Sequence, residues 1–179
     1  MRNILQALYR IGLFKRIVPS ILKIIIKSLR LNELIIKNKN ILLNLNLNNP
    51  IDREIYLKGN YEKEQIDFLL DQIQKNNINY FLDIGAHMGF YSANVSKKNI
   101  SIYAFEPIKN NFEQLKKNRK LNNINNMIIH NLALSNKKGI VNMWVPDANK
   151  TGGFSIYDTK DRELNKYDIK KTFKTESES

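Results

Sequence analysis

Two acids and a glycine-containing loop carry the chemistry this sequence can do. Residues 80–107 read YFLDIGAHMGFYSANVSKKNISIYAFEP. Asp83 precedes a loop holding Gly85, Ala86, His87 and Gly89, and Glu106 follows Gly85 by 21 positions, with Pro107 next to it. Glycines let a backbone approach a ligand closely and take turns closed to other residues. The unpaired N–H groups at the start of the following helix face whatever sits in the loop. An acid at the tip of the next strand can accept hydrogen bonds from both hydroxyls of a ribose, since a carboxylate has two oxygens. Pro107 keeps Glu106 extended at that tip. The pattern D-x-G-x-x-x-G from Asp83 to Gly89 does not fit the G-x-G-x-x-G of dinucleotide sites. The looser loop suits S-adenosylmethionine, which has no pyrophosphate to cradle and carries instead a cationic sulfonium and an amino-acid end. Asp83 places negative charge near those cations, and it can also serve the loop by accepting backbone N–H bonds. The plainer alternative is a βαβ unit whose glycines serve only its turn.

These residues need a strand, a turn, a helix and a second strand to position them. Tyr80 to Ile84 reads as the first strand, about Gly89 to Lys97 as the helix, and Ser101 to Phe105 as the second strand. Both acids then lie at the carboxyl ends of strands, where ligands bind in such sheets. Upstream, Ile66, Leu69, Leu70 and Ile73 fall at i, i+3, i+4 and i+7, which predicts an amphipathic helix over about 61–75, closed by Asn76-Asn77. Residues 41–48, ILLNLNLN, alternate with the period of a half-buried strand that Asn49-Pro50 ends. A short segment, IDREIYLKGNYE, connects the two. Residues 139–145, GIVNMWV, read as another strand, in which Trp144 packs.

DIGAHMGFYS followed by FEP resembles the FkbM family of S-adenosylmethionine-dependent methyltransferases. DREIYLKGNYEKE resembles that family's approach to its first strand. NFEQLKKNRKLNNINNMIIHNLALSNKKG resembles its second helix, third strand and N-x-A-L turn, and VPDANKTGGFSI its T-G-G-x-S stretch. The resemblance runs from about residue 50 to 157. It implies an α/β, Rossmann-like class I methyltransferase fold and O-methylation of hydroxyls on sugars or natural products, here with a sugar hydroxyl of a surface glycan as the expected acceptor. By motif match, Asp83, Gly85, Ala86, His87 and Gly89 would line the methionine end of S-adenosyl-L-methionine, and Glu106 with Pro107 would hold the ribose. Asn131 to Ala133 would lie near the adenine, and Tyr61 and Glu62 would form a lid over the cofactor. The family usually has Asn where this chain has His87. It also continues with a fourth strand carrying a lysine, an aspartate and an E-G-x-E stretch, and nothing similar follows Tyr157. The expectation is therefore the N-terminal half of the fold, strands 1–3 plus an extra hairpin, with an open edge on the first strand. A truncated remnant that at most binds the cofactor is the competing reading.

Composition narrows the rest. There is no cysteine and there are two histidines, His87 and His130, which excludes thiolate chemistry and cysteine- or histidine-rich metal centres. No metal is expected. No catalytic base is assigned: His87 most simply makes a local loop contact, and His130, at a strand end, is structural. The net charge is +12, and residues 1–50 supply +8 of it, nine Lys/Arg against Glu33. A nucleic-acid enzyme would more often carry its positive field around the catalytic core, so an RNA methyltransferase ranks low. Lys116, Lys117, Arg119 and Lys120 read as the solvated face of a helix, and Gly152-Gly153 as an ordinary turn or a substrate loop. Residues 1–30 alternate apolar and basic residues at helical spacing, with Pro19 predicted to split them into two short helices. They pack on the domain or dock on an anionic membrane surface, and no stretch is long enough to span one. The expected organisation is basic helices and a strand over 1–50, the methyltransferase domain over 51–157, and a polar charged tail over 158–179. The expected location is the cytoplasm, or the inner face of its membrane.

Overall fold

The computed structural model describes residues 2–29, 33–136, 138–145 and 171–178. The chain opens with helix α1 (Arg2–Arg10), a 3-10 turn (Gly12–Phe14) and helix α2 (Ile17–Leu29). The break between the helices falls at residues 11–16, not at Pro19. Pro19 sits in the first turn of α2, where a missing N–H costs no intrahelical bond. Val18, Leu22 and Ile26 repeat along one face of α2 and are buried. No described helix is long and apolar enough to cross a membrane.

A hairpin follows. Strands β1 (Glu33–Asn38) and β2 (Ile41–Asn46) pair antiparallel, Asn38 opposite Ile41. Only β2 is legible from alternation, with Ile41, Leu43 and Leu45 buried. The segment after Asn49 is a helix, α3 (Pro50–Lys58), and not a plain connection. The Asn49 side chain accepts from the Ile51 N–H, Pro50 occupies the first turn, and Gly59 closes the end in a left-handed conformation. Helix α4 (Lys63–Lys75) buries Ile66 and Ile73, as its periodicity predicts.

The centre is a parallel sheet. Strand β3 (Tyr80–Ile84) leads through helix α5 (Phe90–Val95) to β4 (Ser101–Phe105), and helix α6 (Lys109–Leu121) leads to β5 (Met127–His130). The strand order is β3-β4-β5, with Asp83 opposite Ala104 and Phe105 opposite His130. The protein is thus mixed α/β with a three-stranded parallel sheet, compatible with a Rossmann-like fold. Its inner face carries the buried Ile102, Ala104 and Met127. On the other face Tyr80, Leu82, Ile84 and Ile128 are each more than half exposed. Parallel sheets are normally covered on both faces. Among the described residues β3 pairs with β4 alone.

A second sheet has the order β6 (Ala133–Leu134), β8 (Lys171–Glu178), β7 (Gly139–Val145). Strand β7 covers the predicted residues 139–145 and runs antiparallel to β8, with Trp144 opposite Thr172. Residues 171–178 are therefore strand where composition suggests only a polar tail. Gly152, Gly153 and the T-G-G-x-S stretch lie outside the described residues, as does the side chain of Trp144.

Helix α6 ties the hairpin to the sheet through one row of amides. The Asn122 side chain accepts from the Leu42 N–H and donates to the Leu42 carbonyl, both at 2.7 Å. Asn118 accepts from the Asn44 N–H at 2.7 Å and donates to the Met88 carbonyl at 2.9 Å. Gln114 donates to the Asn44 carbonyl at 2.9 Å. Lys116, Lys117 and Lys120 on the opposite side are exposed, and Lys117 pairs with Glu33 at 2.7 Å. Each buried polar group left without its partner costs about 1–3 kcal/mol. Asn118→Ala strands the Asn44 N–H and the Met88 carbonyl together, so urea titration should show a loss of about 2–4 kcal/mol. A loss below about 1 kcal/mol would mean that water replaces the amide.

Candidate functional site

At the end of β3 the chain turns at once. Gly85 adopts φ 81°, and its N–H and that of Ala86 donate to the Phe105 carbonyl at 2.8 and 3.0 Å. The loop start is thereby pinned to the tip of β4. A Cβ at Gly85 would meet nothing within 4 Å, so the backbone there is open to close approach by a ligand. Gly89 is glycine for a different reason. It has φ 82°, and a Cβ on it would lie 2.3 Å from Leu115 Cδ1. The glycine lets the start of α5 press against α6.

His87 stands between them in the left-handed region, at φ 52°. Asn, Asp and His are the non-glycine residues that enter that region most readily. Its N–H donates to Glu106 Oε2 at 2.8 Å, and its Nε2 lies 3.4 Å from Asn49 Nδ2. The position thus serves the acid through its backbone, with the ring turned to the hairpin side.

Glu106 is 3% exposed. Oε1 accepts from the Ile108 N–H at 2.9 Å and from Asn111 Nδ2 at 3.3 Å. With the His87 N–H, three of about four lone-pair positions are taken, and the remaining one is on Oε2. Among the described residues Oε2 accepts only the His87 N–H, which leaves it able to accept a further hydroxyl. Burial pushes the Glu106 carboxyl up, its three donors oppose the rise, and the charge of Asp83 adds to it. Asp83 Oδ2 accepts from Ser92 Oγ at 2.6 Å and from the Ser92 N–H at 3.2 Å, so it anchors the first turn of α5. Burial raises its carboxyl as well.

The remaining sequence candidates gather around this core. Asn131 Nδ2 donates to the Glu106 carbonyl at 2.8 Å and to the Pro107 carbonyl at 3.2 Å, which locks the tip of β4. Ala133 is buried at the start of β6. The Tyr61 ring meets Phe90 edge-on at 5.5 Å, which brings Tyr61 and Glu62 onto the first turn of α5. Burial and a hydrogen bond to Glu62 push the Tyr91 phenol up to about 12, and burial with the charge of Glu62 lifts Tyr61 above its ordinary range. His130 stacks on Phe105 at 4.9 Å, consistent with a structural role. The largest cavity described, about 520 Å³, is elsewhere: Lys116, Arg119, Lys120, Asn123 and Ile124 line it at the far end of α6. At the strand tips Gly85 is exposed between the half-buried Asp83 and the buried Ala86 and Glu106, and these residues form the shelf of the candidate site. Among the described residues no group of three or more His, Cys, Asp or Glu is placed to hold a metal.

Sequence reasoning misses Asp52. It is fully buried, accepts from Gln114 Nε2 at 2.5 Å, the Asn46 N–H at 2.6 Å and Asn49 Nδ2 at 2.9 Å, and burial pushes it up to about 6. Asn49 joins it to the His87 ring. An acid in the first turn of a capped helix is the only local signal, and it points to the helix rather than to the loop.

The Methyltransferase FkbM domain family matches residues 83–177, just over half of the chain. The match begins at the first of the two acids. No curated protein matches the chain.

Two expectations follow from this geometry. Gly85→Ala should cost about 1–2 kcal/mol, the penalty of the left-handed region alone. Gly89→Ala should cost roughly 1–3 kcal/mol more, because overpacking against Leu115 is added. Equal urea midpoints for the two variants would remove the role given to Leu115. Asp52 supplies the second. Its carboxyl lies near 3.8 in the unfolded chain and near 6 in the fold, so the folded state binds the extra proton between those values. Its penalty is absent below about pH 4 and complete above about pH 6, on the order of 3 kcal/mol. Stability should therefore fall as pH rises from about 4 to about 6. Asp52→Asn should flatten that slope, as read by thermal melts across the range. An unchanged slope would assign the titration to Asp83 or Glu106, which are raised in the same direction.

Proposed function

The chain belongs to the FkbM methyltransferase family, and on that premise we propose that it O-methylates a sugar hydroxyl of a surface glycan with S-adenosylmethionine. We read β3, β4 and β5 as the first three strands of a class I methyltransferase fold. The observation that carries the reading is the convergence of Asp83, the glycine loop and Glu106 at one end of the parallel sheet.

The residues fit the cofactor's chemistry. The backbone at Gly85 is open on one side, so a ligand can reach main-chain atoms there. Asp83 and Glu106 give the shelf a negative field suited to an ammonium and a sulfonium. Glu106 Oε2 keeps one lone-pair position for a ribose hydroxyl. When bound, S-adenosylmethionine would supply an electrophilic methyl carbon on a sulfonium whose leaving group is a neutral thioether. The protein's task is then to hold the acceptor oxygen in line at about 3 Å and to let its proton leave. Asp83 holds the start of α5 through Ser92, and Tyr61 packs on that same turn, so both fix the shelf's rim. No base is assigned: the His87 ring contacts Asn49 and His130 stacks on Phe105.

A second reading is a chain that binds the cofactor without transferring its methyl group. The exposed outer side of β3 favours it, because no described element walls the shelf beyond that strand. One pair of measurements separates the two. S-adenosylhomocysteine at 100 times its Kd should stabilise the protein by about 2.7 kcal/mol, read as a raised Tm. Gly85→Val should lose that shift. Label should then pass from methyl-labelled S-adenosylmethionine to a saccharide acceptor. A Tm shift without label transfer to any saccharide would favour the binding reading, and no shift would overturn both.

A further inference from the structure

The N-terminal helices bury one apolar side and leave a second one open. In α2 the buried set is Val18, Leu22 and Ile26, which face the core. Ile17, Ile21 and Ile24 recur at i, i+4 and i+7 on the neighbouring side and are exposed. The same holds before α2: Leu13 in the 3-10 turn is 78% exposed and Ile4 of α1 is 66% exposed. A helix that only packs on its domain needs one apolar stripe, and this segment has two.

The charge around the second stripe is of one sign. Arg10, Lys15, Arg16, Lys23 and Lys27 are exposed, and no acid occurs before Glu33. Lys23 and Lys27 lie one turn apart on α2, beside the exposed isoleucines. With 9 and 13 residues the helices are roughly 14 and 20 Å long, too short for a hydrocarbon core of about 30 Å. We propose that α1, the 3-10 turn and α2 dock the protein in the plane of a bilayer surface rich in anionic phospholipid. Ile17, Ile21 and Ile24 enter the boundary between headgroups and acyl chains, and the flanking cations meet lipid phosphates. The alternatives fit less well. RNA offers phosphates but nothing for exposed isoleucines, and a second copy would bring the same cations against themselves.

The test is flotation of the full chain with vesicles of neutral phosphatidylcholine, with and without 30 mol% phosphatidylglycerol. The chain should float with the anionic vesicles and at least tenfold less with neutral ones, and added salt should weaken the binding. The triple variant Ile17→Ser, Ile21→Ser, Ile24→Ser changes only exposed side chains and should lose at least tenfold in bound fraction. Lys23→Glu with Lys27→Glu should lose the preference for anionic lipid. Circular dichroism melts check that both variants fold; where one does not, the salt dependence and lipid preference of the unaltered chain decide. Failure to float with anionic vesicles overturns the proposal. So does equal flotation of folded variants, or a gel shift with RNA in place of vesicle binding. None of these readouts involves methyl transfer, so they leave the enzymatic reading untouched.

Discussion

The outer edge of β2 at Leu42 and Asn44 has no strand beside it among the described residues, and the amides of Gln114, Asn118 and Asn122 take a strand's place. A strand edge left bare inside a protein would strand a polar group at every second residue. Here those of Leu42 and Asn44 are met by amides at helical spacing on α6, and the Asn46 N–H by Asp52. The same helix reaches the site: Asn118 holds the Met88 carbonyl, Leu115 fills the space beside Gly89, and Asn111 donates to Glu106. A shift of α6 would therefore disturb the hairpin, the loop and the acid together. The position of the glycine loop thus depends on residues 41–46, which lie outside the segment that matches the family.

What the sequence discloses and what it hides follow from how local each signal is. Strands β3 and β4 are legible residue by residue, because apolar runs end in acids and a glycine turn separates them. The helix of residues 63–75 is legible from its period. Helix α3 carries Asn49, Pro50 and Gly59 as start and stop signals, yet its charged, short body hides the apolar face formed by Ile55, Tyr56 and Leu57. Strand β1, ELIIKN, runs Leu34, Ile35 and Ile36 in succession, so its sequence shows no alternation although two of its six residues are buried. Strand β8, KTFKTESE, is polar but for Phe173, and its pairing with β7 and β6 is a matter of tertiary context that no local propensity encodes. The loop and both acids were legible because their spacing is itself a motif. Asp52 and Asn118 were not, because their partners are as much as 74 positions away.

His87 shows how a departure from a family pattern can preserve geometry. A left-handed residue is required for the loop to return its N–H to Glu106, and both Asn and His tolerate that conformation. The backbone contact to Glu106 is therefore made here with His at that position. Glu106 in turn is held by three donors from its own chain. That satisfies the desolvation cost of burying a carboxylate. It also means that this acid first organises the loop, and that its binding capacity is what remains after that. A fully buried acid with spare acceptors would be costly to fold; an acid with none would hold no ligand.

Two apolar surfaces stay open among the described residues, and they differ in what surrounds them. The outer face of the parallel sheet shows Tyr80, Leu82, Ile84 and Ile128, with Tyr80 near Tyr103 and Phe105 against His130. It is a flat patch of a kind that parallel sheets ordinarily cover, and no charge of either sign among these residues selects a partner. The exposed side of the N-terminal helices is narrower, helical in period and set among cations. Apolar area alone says that a surface is costly to leave in water. Only the second surface adds a charge pattern that says which surroundings would relieve that cost, because phosphate and hydrocarbon lie within one helix radius of each other at a bilayer surface and are not so arranged on nucleic acid.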